Sequence, residues 1–342
     1  MTEFESVPND SLANSTVKSR GRLKATGASN QIQFYGIAIL VVSLLPLLSD
    51  FSSVFELFSH FRLQMLIVSV AISALLLIFK SWRYLIPAVV AVVLNASAIY
   101  PLYFGTQARA SVDNFRLITM NASVTNQDFE WIYDCIKAAN PDVICVQELS
   151  PELNEYLAKT LTDYPHRLVD PRKDPFGIGI YSRLYVNSQV LIPSESIGAN
   201  GGKLTINAVK VGITFGDQNV DVVSAHPPPP LTQEFADWRN RELSFIADIA
   251  AKSQNPVIIA GDFNCTAYSP IFSKILKQGK LHDSEIGFGI QPTWPNNMLP
   301  LVIPIDHVLY KGPIKIVDRR LGSNINSDHT PVVVSFRIGN RE

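Results

Sequence analysis

Pro256-Val257-Ile258-Ile259-Ala260-Gly261-Asp262-Phe263-Asn264 is the stretch whose reading decides the fold. The apolar run from Val257 to Ala260 reads as a fully buried strand. Gly261 ends it, and Asp262 and Asn264 follow with one residue between them. In an extended chain, residues i and i+2 point the same way. A carboxylate and a carboxamide are therefore expected to leave the sheet side by side, at the end where α/β folds place their chemistry. A plain Asp-Phe-Asn turn would use the same residues. What argues for chemistry is that the pattern recurs along the chain.

Asn121 follows the strand-like Phe115–Met120, and Glu148 follows Val143–Val146. His226 follows Val222–Ala225, Asp306-His307 opens Val308–Tyr310, and Ser327-Asp328-His329 precedes Thr330–Ser335. Turns would favour Gly and Ser over Glu and His, so these placements point to a site. Helices are expected over Gln127–Asn140, Pro151–Thr162, Phe235–Ala251 and Pro270–Gln278. Further strands are expected over Gly177–Ser182, Leu184–Ile192 and Pro331–Arg337. Leu204–Phe215 and Asn219–Ala225 read as a hairpin, and Gly201-Gly202 marks a turn. Strands interleaved with helices, several of them hairpin-linked, predict a layered α/β domain with mixed sheets.

Charge is unevenly spread. The chain has 29 basic and 30 acidic residues, but only 17% of it is charged and the shortage sits in the first third. From Asn114 onward, 21 Lys and Arg face 24 Asp and Glu, a balance of −3. That disfavours a broad nucleic-acid binder, which would be basic, and leaves room for a nuclease with a local basic patch. Cys135, Cys145 and Cys265 share no metal-ligand spacing and imply no disulfide framework.

The N-terminal region reads differently. Residues 1–31 are polar, with Lys18, Arg20, Arg22 and Lys24, and read as a disordered tail. Three apolar segments follow within 32–104, centred on Phe34–Leu48, Leu63–Phe79 and Tyr84–Phe104. A membrane-spanning helix needs about 20 mostly apolar residues. Helices of a soluble bundle would carry a polar face, which these lack. The cations of the tail and of Lys80-Ser81-Trp82-Arg83 place both on the cytoplasmic side. Three crossings then leave the linker 105–113 and a catalytic domain over 114–342 outside the cytoplasm, in the periplasm of a cell with an inner membrane.

Glu148, Asp262 and Asp328 are hard oxygen ligands suited to Mg²⁺ or Mn²⁺. His226 and His329 suit proton transfer or contact with an anionic transition state. Phosphoester hydrolysis needs those parts: a hard cation, an activated water and a stabilised leaving oxygen.

With these pieces in order, residues 114–337 resemble the endonuclease/exonuclease/phosphatase superfamily. Its members include pancreatic deoxyribonuclease, apurinic endonucleases, neutral sphingomyelinases and inositol-polyphosphate 5-phosphatases. The matching pieces are Met120-Asn121, Gln147-Glu148, Tyr181-Ser182-Arg183, Ser224-Ala225-His226, Gly261-Asp262-Phe263-Asn264, Pro292-Thr293-Trp294-Pro295, Ile305-Asp306-His307 and Ser327-Asp328-His329-Thr330-Pro331. The resemblance implies a four-layered, deoxyribonuclease I-like α/β sandwich, here preceded by transmembrane helices, with its site between two sheets. It implies Glu148 as the main metal ligand, with Asn121 and Asp328 completing or flanking the metal. Asp262, oriented by Asn264, would position or deprotonate the attacking water, and His329, paired with Asp306, would be the other acid/base or phosphate-holding group. His226 would contact the scissile phosphate or protonate the leaving oxygen, and Arg183 and Trp294 would contact substrate. Ser123 stands where apurinic endonucleases carry an Asp near the metal, which speaks against an apurinic repair role. Three spans before such a domain look like a group of bacterial inner-membrane members of the superfamily.

The expectation is thus a membrane-anchored, Mg²⁺- or Mn²⁺-dependent phosphodiesterase acting on nucleic acid or a lipid head group, with no protein partner called for. A phosphomonoesterase of soluble phosphates is the alternative. A non-catalytic scaffold would be expected to have lost one of Glu148, Asp262, Asn264, Asp306, Asp328 and His329, and all are present.

Overall fold

Every position from Val257 to Asp262 is buried, in a strand with apolar neighbours on both faces. This computed structural model describes residues 31–49, 51–105, 114–197 and 203–339. The cationic tail, linker residues 106–113 and the Gly201-Gly202 turn lie outside the described residues.

Two sheets carry the core. The first contains β1 (Phe115–Asn121), β2 (Val143–Gln147), β3 (His166–Asp170), β4 (Ile178–Ser182), β11 (Ile314–Leu321) and β12 (Val332–Ile338). Its order is β11-β12-β1-β2-β4-β3. The second contains β5 (Val186–Ile197), β6 (Lys203–Phe215), β7 (Gln218–Ser224), β8 (Val257–Asp262), β9 (His282–Asp283) and β10 (Asp306–Lys311). Its order is β5-β6-β7-β8-β10-β9. Each sheet has one parallel pair at its centre, β1 with β2 and β7 with β8.

Alternation along the central strands explains the layering. Leu117, Cys145, Val222, Ile258 and Val308 face the space between the sheets. Ile118, Met120, Ile144 and Val146 face outward onto α5 (Phe129–Ala139) and α6 (Pro151–Thr160). Val223, Val257 and Ile259 face α7 (Gln233–Lys252) and α8 (Pro270–Gly279). The layers are therefore helix, sheet, sheet, helix, and strands covered on both faces read as unbroken apolar runs. Local signals end the elements: Ser150 Oγ accepts the Leu153 N–H at the start of α6, with Pro151 at its first position. Asn140 closes α5 in a left-handed conformation just before Pro141.

Three strands were not expected from the sequence. β3 (His-Arg-Leu-Val-Asp) has no fully buried residue and forms a sheet edge. β11 is the opposite edge, rich in Lys315, Arg319 and Arg320, and bulges between Ile316 and Asp318. Edges carry charge and bulges where central strands carry apolar runs. β9 spans only His282 and Asp283.

By its contacts the chain falls into two units: Met1–Leu44 with Arg62–Ser97, and Leu45–Phe61 with Ala98–Glu342. In the first unit lie a helix over 31–44 (α1), the whole of the apolar α3 (Arg62–Ile78), and α4 (Trp82–Ile99) up to Ser97. Among the described residues, three helical stretches are long and apolar enough to cross a membrane: Gln31–Leu48, Ser53–Ile78 and Trp82–Tyr103. Their outward positions are apolar, with Phe34, Val41, Ile67, Ile78, Ile86 and Val93 exposed, while Ser43, Ser69 and Asn95 are buried. Asn95 donates to Ser43 Oγ at 2.9 Å and accepts from Arg62 Nη1 at 3.1 Å. That is the reverse of a water-soluble bundle, which keeps apolar residues in and polar ones out.

Candidate active site

β1 with β2, and β7 with β8, end at the same side of the double sheet, and the polar residues expected from the sequence gather there. Gln147 pins the two sheets together: it accepts from Thr119 Oγ1 at 3.2 Å and donates to Ser224 Oγ at 2.9 Å, fully buried. Gly261 makes the close approach of β7 and β8 possible. Its φ is +148°, and a Cβ there would lie 1.9 Å from the Ala225 carbonyl oxygen. Gly261→Ala is expected to destabilise by about 3 kcal/mol or more, read as a thermal midpoint lowered by roughly 10 °C; an unchanged midpoint would contradict the contact.

Asp262 Oδ2 is the focus of the site. Asn121 Nδ2 donates to it at 3.2 Å, His329 Nε2 lies 3.7 Å away and His226 Nε2 3.9 Å away. Asp262 is 2% exposed and His329 5%. The other Asp262 oxygen accepts the Asn264 backbone N–H at 2.9 Å. The expectation that Asn264 projects beside Asp262 is corrected by this geometry. Asn264 has φ +50°, so the chain turns, and its amide donates to the Pro227 carbonyl at 3.0 Å. It orients Asp262 through its backbone and ties down the segment after His226 through its side chain.

Glu148 also sits at a positive φ, +54°, which is unusual for a non-glycine residue. Its Oε1 accepts from Asn121 Nδ2 at 3.0 Å and its Oε2 from the Val124 N–H at 2.9 Å. Asn121 thus joins the carboxylates of Glu148 and Asp262, while its own Oδ1 accepts from the Ser123 N–H.

His329 Nδ1 bonds Asp306 Oδ2 at 2.9 Å. Burial works against the His329 proton, but Asp306 and Asp262 outweigh it and hold the pKa at about 10. Burial likewise pushes Asp306 up, yet the His329 charge and hydrogen bond keep its carboxyl below the usual range. Burial raises Asp262 despite the His329 charge. The result is an imidazolium between two carboxyl groups: Asp306 stays ionised, and Asp262 is the one that more readily takes a proton.

Asp328 is exposed at the rim and accepts the Trp294 indole N–H at 2.8 Å. The Trp294 ring centroid lies 6.2 Å from that of His329. Arg183 is not brought to the site. β4 runs antiparallel to β2, so Ser182 pairs with Val143 and Arg183 stands at the far end of the sheet from Glu148. There it donates to Asn140 Oδ1 at 2.8 Å and covers the Tyr164 ring at 5.1 Å.

Two loop hydroxyls brace these side chains. Thr293 Oγ1 accepts the N–H groups of Ile305 and Asp306, and Ser327 Oγ donates to the Asn121 carbonyl. A loop hydroxyl is too common for its role to be read in advance.

The donor set facing Glu148 and Asp262 consists of carboxylate and carboxamide groups and fits a hard dication. Glu148 Oε1 and Asp262 Oδ2 converge on the Asn121 Nδ2 donor, and those two anionic oxygens, not the amide nitrogen, are what a hard dication would bind there. Asp262, Asp306 and His329 also bring ligand atoms within 4.8 Å of one another, and there His329 Nδ1 is already bonded to Asp306 Oδ2. Asp283, Glu285 and His307 form a second such group. There the Arg319 guanidinium, 4.0 Å from Glu285, already supplies positive charge.

A helix-covered double sheet with these carboxylates and histidines at the ends of its parallel strands has the architecture of deoxyribonuclease I-like proteins. Residues 118–329 match the profile of the Endonuclease/Exonuclease/phosphatase family, and the chain belongs to that family. Members of that family are typically hydrolases of phosphoester bonds. Its fold is similar to that of D. rerio TDP2 complexed with a single-strand DNA product, with TM-score 0.55 and 18% identity over 66% of this chain and 99% of that one. An endonuclease/exonuclease/phosphatase from Beutenbergia cavernae gives TM-score 0.53 and 20% identity over 66% of this chain and 72% of that one. A functionally unknown conserved protein from Enterococcus faecalis gives 0.53 and 18% over 66% and 100%. At these identities the likeness is one of fold. No curated protein matches the chain.

Proposed function

We propose that this protein is a membrane-anchored, divalent-metal-dependent phosphodiesterase. The observation that carries the proposal is the convergence of Asn121, His329 and His226 on Asp262 Oδ2, with Glu148 joined to the same Asn121 amide.

Glu148 and Asn121, flanked by Asp328, would hold Mg²⁺ or Mn²⁺. When bound, the ion supplies Lewis-acid polarisation of a phosphoryl oxygen. Asp262 accepts the proton of the attacking water, a task its raised pKa suits. His329, kept charged by Asp306, stabilises the charge that grows on the phosphoryl group. His226, 3.9 Å from the same Asp262 oxygen, protonates the leaving oxygen. Trp294 at the rim contacts the rest of the substrate.

Two substrate classes have support. One fold neighbour was solved with a DNA product, which favours nucleic acid. The loop after Trp294 exposes Met298, Leu299 and Leu301, which favours a lipid head group. The full-length chain in detergent micelles, assayed with Mg²⁺ against DNA, RNA, sphingomyelin, phosphatidyl lipids and inositol phosphates, tests this. Cleavage of a diester in one class is expected; cleavage of monoesters alone would overturn the diesterase reading.

The apolar segments centred on Phe34–Leu48, Leu63–Phe79 and Tyr84–Phe104 are proposed to cross the membrane, with the catalytic domain over 114–342 and the Leu45–Phe61 segment that folds with it outside the cytoplasm. A reporter fused after Glu342 is expected to show extracytoplasmic exposure, and cytoplasmic reporter activity would refute the topology.

A further inference from the structure

Residues Leu45–Phe61 lie in sequence between the first two apolar helices, yet they fold with the sheets. Within them a short helix, α2 (Ser53–Leu57), carries Glu56 into a buried contact with Arg239 of α7. We propose that Glu56 and Arg239 are positioning residues for the reaction: the segment between the apolar helices holds the Asp262–Asn264 turn in its reactive shape. This rests on the reading of Asp262 as the acceptor of the water proton.

The chain of contacts is continuous. Arg239 is completely buried, and its Nη2 donates to Glu56 Oε2 at 2.6 Å. Its Nη1 donates to the Asn264 carbonyl at 3.0 Å. The N–H of that same Asn264 holds Asp262 Oδ1 at 2.9 Å. Asn264 has φ +50°, a left-handed conformation that Asn adopts more readily than most non-glycine residues, and its two backbone polar groups are both held. Arg239 grips one side of that residue and Asp262 occupies the other.

The same segment grips the turn again further on. Glu56 Oε1 accepts from Ser269 Oγ, at the start of α8. His60 Nδ1 accepts the Thr266 N–H at 3.4 Å and lies 3.1 Å from Thr266 Oγ1. Among the described residues, Glu56 is the carboxylate that pairs with Arg239. A buried guanidinium that loses its counter-charge must move or draw in water. A shift of the Arg239 guanidinium is passed to the Asn264 carbonyl through its Nη1 bond.

A contact that only glues the fold would alter melting and leave turnover alone. A positioning contact alters kcat at constant KM, because Asp262 acts on the water and not on substrate binding. The test uses the full-length chain in detergent micelles, with Mg²⁺ and bis(4-nitrophenyl) phosphate as substrate. Glu56→Gln, which keeps the side-chain shape and removes the charge, is expected to lower kcat on the order of 10- to 100-fold, the scale of a misplaced reacting group. KM and the Mg²⁺ concentration for half-maximal rate are expected to stay unchanged. Native kcat in folded Glu56→Gln, with His329→Ala inactive in the same assay, overturns the coupling and leaves the site assignment standing. Native kcat in His329→Ala instead removes the site assignment itself. If Glu56→Gln does not fold, Ser269→Ala decides, since it keeps both charges and frees one Glu56 oxygen. A kcat lowered about fivefold, the scale of one hydrogen bond, supports the proposal, and native kcat overturns it.

Discussion

Glu148→Gln lowers kcat by about 10³-fold and raises the Mg²⁺ concentration needed for half-maximal rate. That fall corresponds to the several kcal/mol of transition-state stabilisation a bound cation supplies. The substitution keeps the length of the side chain and its packing. It removes the negative charge and replaces one oxygen by an amide nitrogen, which has no lone pair to offer a hard dication. Glu148 is aimed by its backbone conformation, φ +54°, and by the Asn121 and Val124 donors on its two oxygens. Those constraints specify a carboxylate at one place, since neither donor has another use for a neutral amide nitrogen. A near-native rate with unchanged Mg²⁺ dependence would remove Glu148 from the metal site.

His329→Ala lowers kcat by about 10²- to 10⁴-fold, the range for loss of a general acid or base or of a charge aimed at the transition state. It also strands Asp306, which is 1% exposed and bonded to His329 Nδ1. An unpaired buried charge costs about 3–5 kcal/mol, so this variant melts early. His329→Gln separates the two effects, because its amide still reaches Asp306 but carries no charge. Its kcat is expected to fall nearly as far while its melting stays closer to native. Native turnover in a folded His329→Gln chain would show that the charge has no part in the reaction.

The His329 charge also sets a pH dependence. Its folded-state pKa, about 10, lies above its ordinary value of 6.5. The stabilisation is therefore complete below the ordinary value and is lost as pH rises toward the folded one. In chelator, the melting temperature of the native chain is expected to fall between about pH 7 and pH 10, and that slope is expected to shrink in His329→Gln.

How much of this was legible depended on whether the signal was local. The central strands announced themselves because both faces are covered, and their polar ends announced the site. Strand direction was not legible: Tyr181-Ser182-Arg183 reads like the other strand-end motifs, and the antiparallel run of β4 sends Arg183 to the wrong end. The side chain of Asn264 was misplaced because the i, i+2 rule assumes an extended chain, and the chain turns left-handed there. Edge strands β3 and β11 lack apolar runs because they are half covered. The Glu56–Arg239 contact spans 183 residues, and no periodicity links positions so far apart.

The most direct measurement is the hydrolysis of bis(4-nitrophenyl) phosphate by the full-length chain, native and Glu148→Gln, with Mg²⁺ and with chelator. Hydrolysis that needs Mg²⁺ and collapses in Glu148→Gln is the expected result. Hydrolysis indifferent to chelator, or none while Mg²⁺ is demonstrably bound, would contradict metal-dependent phosphodiester cleavage at this site.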